Sequence, residues 1–158
     1  MIFFEDLAVG ATFDLGRHRL EPDEIAAFAR VYDRAALAGA ADRSAAPGWL
    51  LTCLWMRGWV AFVERADAAA AAAGWPVADL GPSPGIERLE WPAPAHAGDT
   101  LAFRAEVRAL RPSQSRPRWG LMTLANSARL AADDGRGACV MSFTSSAFVE
   151  RRNARREG

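Results

Sequence analysis

All nineteen basic residues of this 158-residue chain are arginine. A lysine nucleophile or Schiff base is therefore excluded, and acid–base chemistry falls to the carboxylates and two histidines. One carboxylate, Asp33, stands in the stretch Tyr32-Asp33-Arg34-Ala35-Ala36-Leu37-Ala38, at the end of an expected helix or just beyond it. A carboxylate can hold a water and exchange a proton with a substrate. The alanines that follow it cannot accept a proton, bind a metal or position a water. Asp33 also has a structural reading of equal weight, because aspartate at a helix end or turn hydrogen-bonds the local backbone. His18 lies between Arg17 and Arg19, and His96 in a turn rich in proline and glycine. Both read as surface or partly buried residues, with the loop residue His96 the better catalytic candidate. Asp42 reads as a solvated loop acid.

The two cysteines, Cys53 and Cys139, follow no metal spacing and read as buried free thiols. With two histidines and no clustered ligands, no metal site is expected. Nineteen basic and nineteen acidic residues cancel, which argues against nucleic-acid or anionic-membrane binding. Arg57 interrupts the best apolar run, so no membrane span is expected. The first residues, Met1-Ile2-Phe3-Phe4-Glu5-Asp6, lack the pattern of a signal peptide. A cytoplasmic protein is the resulting expectation. Apolar residues at 51% and charged residues at 24% suit one globular domain with its own core.

The elements follow from periodicity. Ala11 to Leu20 reads as a first strand. Pro22-Asp23-Glu24 starts a helix, with proline in the first turn and acids at the positive end of the dipole. Ile25, Phe28, Ala29 and Tyr32 give it one apolar face. Residues 34–46 read as a loop or short irregular helices. Pro47-Gly48 opens the longest helix, roughly Gly48 to Ala73. Its apolar residues surround it rather than forming a stripe, so its first half is expected to be buried. Trp49, Trp55 and Trp59 read as core or pocket wall. Gly74 is a plausible C-cap and Pro76 stops continuation.

The second half changes to alternation. Leu101 to Ala109 is a half-buried strand, and Ile86–Trp91, Trp119–Leu130 and Ala138–Val149 supply three more. Asp133-Asp134-Gly135 marks a turn between the last two. Residues 1–150 form one unit, and the basic residues 151–158 read as a solvated tail. One strand, helices and four further strands predict an α+β fold. Its antiparallel sheet wraps a long central helix, the hot-dog arrangement.

The pieces resemble a known family, the MaoC-like dehydratases, relatives of the (R)-specific enoyl-CoA hydratases. The similar segments are Phe4-Glu5-Asp6-Leu7-Ala8-Val9-Gly10, the helix Glu24 to Ala29 leading to Asp33, and Ala46-Pro47-Gly48-Trp49. They continue through Pro84-Gly85-Ile86, Leu89-Glu90-Trp91, Pro94, Gly98-Asp99-Thr100-Leu101, Arg111-Pro112-Ser113 and Ser142-Phe143-Thr144. The resemblance covers nearly the whole chain. It implies a hot-dog fold, usually dimeric, and coenzyme A thioester substrates across whose conjugated double bond water is added or removed. It implies no further cofactor, coenzyme A being part of the substrate.

By the same resemblance Asp33 matches the family's catalytic aspartate. Gly48 matches the glycine at the start of the central helix, where backbone N–H groups polarise the thioester carbonyl. Trp49, beside Gly48, is taken as substrate-binding. In the family's motif, asparagine, proline and histidine follow the aspartate. Ala35, Ala36 and Ala38 stand in those places, and Pro47 stands where a serine or other small residue is common. The implied activity is an acyl-CoA hydratase or dehydratase with a degenerate dyad. The alternatives are a non-catalytic acyl-thioester-binding or assembly subunit and, third, a hot-dog thioesterase. A homodimer is expected, because one such domain exposes a sheet edge and apolar surface.

Overall fold

A computed structural model describes residues 3–32, 45–132 and 137–152. After a short 3-10 turn at Phe4–Asp6, the elements are β1 (Thr12–Arg19), α1 (Pro22–Tyr32), α2 (Gly48–Ala72), β2 (Gly85–Glu90), β3 (Thr100–Pro112), β4 (Trp119–Leu130) and β5 (Cys139–Glu150). The five strands form one sheet in the order β1-β3-β4-β5-β2, every neighbouring pair antiparallel. This is the expected α+β hot-dog architecture. β4 spans the expected Trp119–Leu130, and the ends of the other strands differ from expectation by one to three residues.

The core lies between the inner face of the sheet and the first half of α2. Leu50, Leu51, Leu54 and Trp55 meet Leu101, Phe103, Val107, Met122, Leu124 and Phe143 in one cluster. Each fully buried side chain of this size contributes roughly 1.5–3 kcal/mol relative to exposure. A bulge in β3 between Val107 and Ala109 resets its alternation, so Leu110 pairs with Met122 and continues the inner row.

The C-terminus of α2 has the geometry expected of Gly74. Its φ is 71°, a left-handed conformation that costs glycine little. The Gly74 N–H donates to the Ala71 carbonyl at 3.0 Å, and the Trp75 N–H donates to that of Ala70 at 2.9 Å. That bond pattern closes a helix in a Schellman motif.

Two expectations are corrected. The first half of α2 is not buried all round: Trp49, Met56 and Val60 are exposed by 60%, 47% and 46%. Cys53 is exposed rather than buried, while Cys139 is half-buried, and both are free thiols. The expected apolar face of α1 is present, and Phe28 on it packs against the core. Ile25 reaches the core, but Tyr32 is 73% exposed. The sheet covers one side of α2 and leaves an arc open, with Phe28 and Tyr32 of α1 beside it. The turn expected at Asp133-Asp134-Gly135 lies outside the described residues. No helix among the described residues is long and apolar enough to cross a membrane.

Candidate functional site at the start of the central helix

The start of α2 has an unusual cap. Pro47 occupies the N-cap position with extended backbone (φ −56°, ψ 135°) and offers no side-chain hydrogen bond. Its carbonyl accepts from the Leu50 N–H at 2.9 Å and from the Leu51 N–H at 3.4 Å. The N–H groups of Gly48 and Trp49 have no acceptor among the described residues. At the positive end of a 25-residue helix, these two amides suit a carbonyl oxygen or an anion.

The first turn is flanked by indoles. A Cβ built on Gly48 would lie 2.5 Å from two ring atoms of Trp91, so the indole occupies the space a side chain would need. Close packing is thus one firm reason for glycine here. Trp91 follows β2 directly, and it meets Trp49 edge-to-face with ring centroids 5.5 Å apart. A register shift in β2 between Glu87 and Glu90 aims this segment, and within it Arg88 has φ 54°. Thr52, one turn on, donates its hydroxyl to the Gly48 carbonyl at 3.2 Å.

On the other side of the first two turns lies an apolar cleft of about 510 Å³, lined by Phe28 and Tyr32 of α1 and Trp49 and Cys53 of α2. Small-ligand sites typically enclose about 300–1,000 Å³ with mostly apolar walls. Phe28 and Tyr32 face each other at 4.7 Å between centroids. Reasoning from sequence missed Phe28, Tyr32 and Cys53 as cleft residues, because helical spacing shows an apolar face without its partner and Cys53 reads as buried. The available signal was the aromatic content of that face.

The two histidines take different places. His18 Nε2 lies 2.6 Å from Glu24 Oε2, and Arg57 Nη2 lies 2.9 Å from His18 Nδ1. Guanidinium only donates, so Nδ1 accepts and the Nε2–H donates to the carboxylate. Arg57 is nine residues beyond Gly48, which places this cluster about 13 Å along the helix from the first-turn amides. His18 cannot share a reaction with an atom held at those amides. His96 lies closer. Its turn is bridged to Ala45, and the Ala46 N–H donates to the Ala95 carbonyl at 2.8 Å, just before α2 begins. The His96 N–H donates to Asp99 Oδ2 at 2.8 Å, which fixes the turn.

No protein-family model matches the chain, nor does any curated protein. Solved structures do match. A MaoC-like dehydratase from Rhodospirillum rubrum aligns with a TM-score of 0.69 and 30% identity, over 96% of this chain and 99% of that one. The chain belongs to the MaoC-like dehydratase family. An unliganded R-hydratase from Pseudomonas aeruginosa aligns with a TM-score of 0.59 and 20% identity, over 96% of this chain and 87% of that one. A Mycobacterium tuberculosis protein with a double hot-dog fold aligns with a TM-score of 0.59 and 22% identity, over 95% of this chain and 44% of its own length. This MaoC-like chain thus corresponds to one such unit.

Of the residues expected at a MaoC-like site, Gly48 and Trp49 come together at the start of α2. Asp33 and Ala38 lie outside the described residues, as does Asp42. The described chain on either side of that segment ends beside the cleft, at Tyr32, and beside the His96 turn, at Ala45.

Proposed function

We propose that this MaoC-like protein binds an acyl-coenzyme A thioester with its carbonyl oxygen at the Gly48 and Trp49 amides. Its hydratase chemistry is degenerate, because Ala38 stands in the place of the motif histidine and leaves Asp33 without its partner. The observation that carries the reading is the pair of first-turn amides without an acceptor among the described residues, beside an apolar cleft. Helix dipole and first-turn N–H groups together favour an oxygen that carries or develops negative charge. Calorimetry with short, medium and aromatic acyl-CoA thioesters is expected to show saturable binding that bare coenzyme A does not match. No binding across the panel would leave the chain a structural role.

Binding without turnover identifies the non-catalytic acyl-thioester subunit, the second reading, which the alanines after Asp33 favour. Release of free coenzyme A would identify a thioesterase instead.

The functional unit in this proposal is a homodimer. β2 ends the sheet, and Ile86 on it is 46% exposed. An exposed edge, and exposed apolar residues such as Met56 and Val60 of α2, are covered at low cost by a second copy. Light scattering in dilute solution is expected to give twice the mass of the 17.1 kDa chain. A monomer would remove this part of the proposal.

A further inference from the structure

The cleft beside α2 is walled mainly by aromatic side chains. α1 and α2 run past each other so that their facing residues form three rungs. Tyr32 and Trp49 make the first, nearest the first-turn amides, and Phe28 and Cys53 make the second. Glu24 and Arg57 make the third, an ion pair at 3.7 Å that spans both helices. His18 completes this rung through Glu24 and Arg57, with both His18 and Glu24 largely shielded from solvent. The third rung bridges the two helices one turn beyond Phe28 and Cys53. Trp49 to Arg57 is eight residues, a rise of about 12 Å along α2.

The walls are rings rather than branched aliphatic chains. Phe28, Tyr32 and Trp49 supply three aromatic faces or edges to one cavity. The residues that turn toward α1 are 49, 53 and 57. Gly48 and Thr52 turn away from α1, toward Trp91 after β2 and Met141 of β5.

We propose that the cleft holds the acyl part of the thioester and selects a compact, ring-bearing acyl group over an open chain of the same carbon number. This rests on the thioester reading above. A ring set among three aromatic side chains gains edge-to-face and offset contacts beyond simple area burial, and it arrives with few rotors to freeze. An open chain of nine or more carbons instead runs toward the Glu24–Arg57 rung, where burying methylenes against a charged pair gains little.

The test compares 3-phenylpropanoyl-CoA with nonanoyl-CoA by calorimetry, and the two free acids by quenching of tryptophan fluorescence. The full chain is compared with Trp49→Leu and Phe28→Leu, which remove rings but keep apolar bulk. Trp49 is exposed and Phe28 half-buried, so both variants are expected to fold, as circular dichroism would confirm. The ring thioester is expected to bind about tenfold tighter in the parent, with the preference lost in both variants. Equal binding of the two thioesters would overturn the ring preference and leave the thioester reading standing. Selective binding of the free ring acid alone would keep the ring cleft and sink the thioester reading. Binding of none of the four ligands would sink both.

Discussion

On simple enoyl-CoA substrates this protein is expected to add water about two to four orders of magnitude more slowly than a hydratase with an intact aspartate–histidine pair. Hydration needs one group to hold and deprotonate the water and a partner to share the proton transfer. The stretch Asp33-Arg34-Ala35-Ala36-Leu37-Ala38 offers the carboxylate and no partner. His18 cannot stand in, since Glu24 and Arg57 hold it about two helical turns from the first-turn amides. Restoring Ala38→His is expected to raise turnover, and Asp33→Asn in that background to abolish the gain. Ala35 and Ala36, in place of asparagine and proline, set how well residue 38 is aimed and so limit the rescue. The deciding measurement is turnover of the unmodified protein on several enoyl-CoA chain lengths. A rate matching an ordinary hydratase would sink the degenerate-dyad reading. It would direct attention to His96, whose turn is docked beside the start of α2, or to a residue of a second copy.

How much of this was legible in the sequence depends on whether one element or two are needed to see it. The long helix, its glycine cap and the late strands are written in local period and propensity, and they stand where expected. Gly48 was visible as a helix-start glycine. That the Trp91 indole fills its missing side chain was not, because the contact joins residues 43 positions apart through the register shift in β2. The burial of α2 was misread for a related reason. Periodicity within one helix records that apolar residues surround it, not that the sheet covers only part of its circumference. Trp49, Cys53, Met56 and Val60 belong to the uncovered arc. Cys53 was assigned to the core from an apolar neighbourhood in sequence, whereas its neighbours in space are the rings of an open cleft. The His18–Glu24–Arg57 cluster joins three elements, none of which signals the others. The part of the candidate site that carries Asp33 is the part least determined by pattern: residues 34–46 are rich in alanine and lack a clear period.

A different cluster sets the other large expectation, for stability. Glu150 ends β5 with no solvent exposure, an expensive place for a carboxylate unless it is fully bonded. Its Oε2 accepts the Asp79 N–H at 3.0 Å, and its Oε1 accepts from Arg118 at 3.2 Å. The Glu150 N–H returns to the Asp79 carbonyl at 3.0 Å, and Arg118 also pairs with the Asp79 carboxylate. These bonds fasten the segment after α2 to the last strand, beside the Leu80–Val149 bridge. Truncation by Glu150→Ala takes the acceptor from a partly buried N–H and opens a void. Together these are expected to cost about 3 kcal/mol. Arg118 is half exposed and keeps Asp79, so its released charge is rehydrated and adds little to that figure. For a domain whose total stability is of the order of 5–15 kcal/mol, the loss is a large share. Urea unfolding should show it as a lower midpoint with an unchanged slope. Glu150→Gln keeps the shape and one acceptor oxygen, and it should lose about half as much. If Glu150→Ala unfolded at the parent midpoint, the buried carboxylate would not be what holds the 78–81 segment to β5.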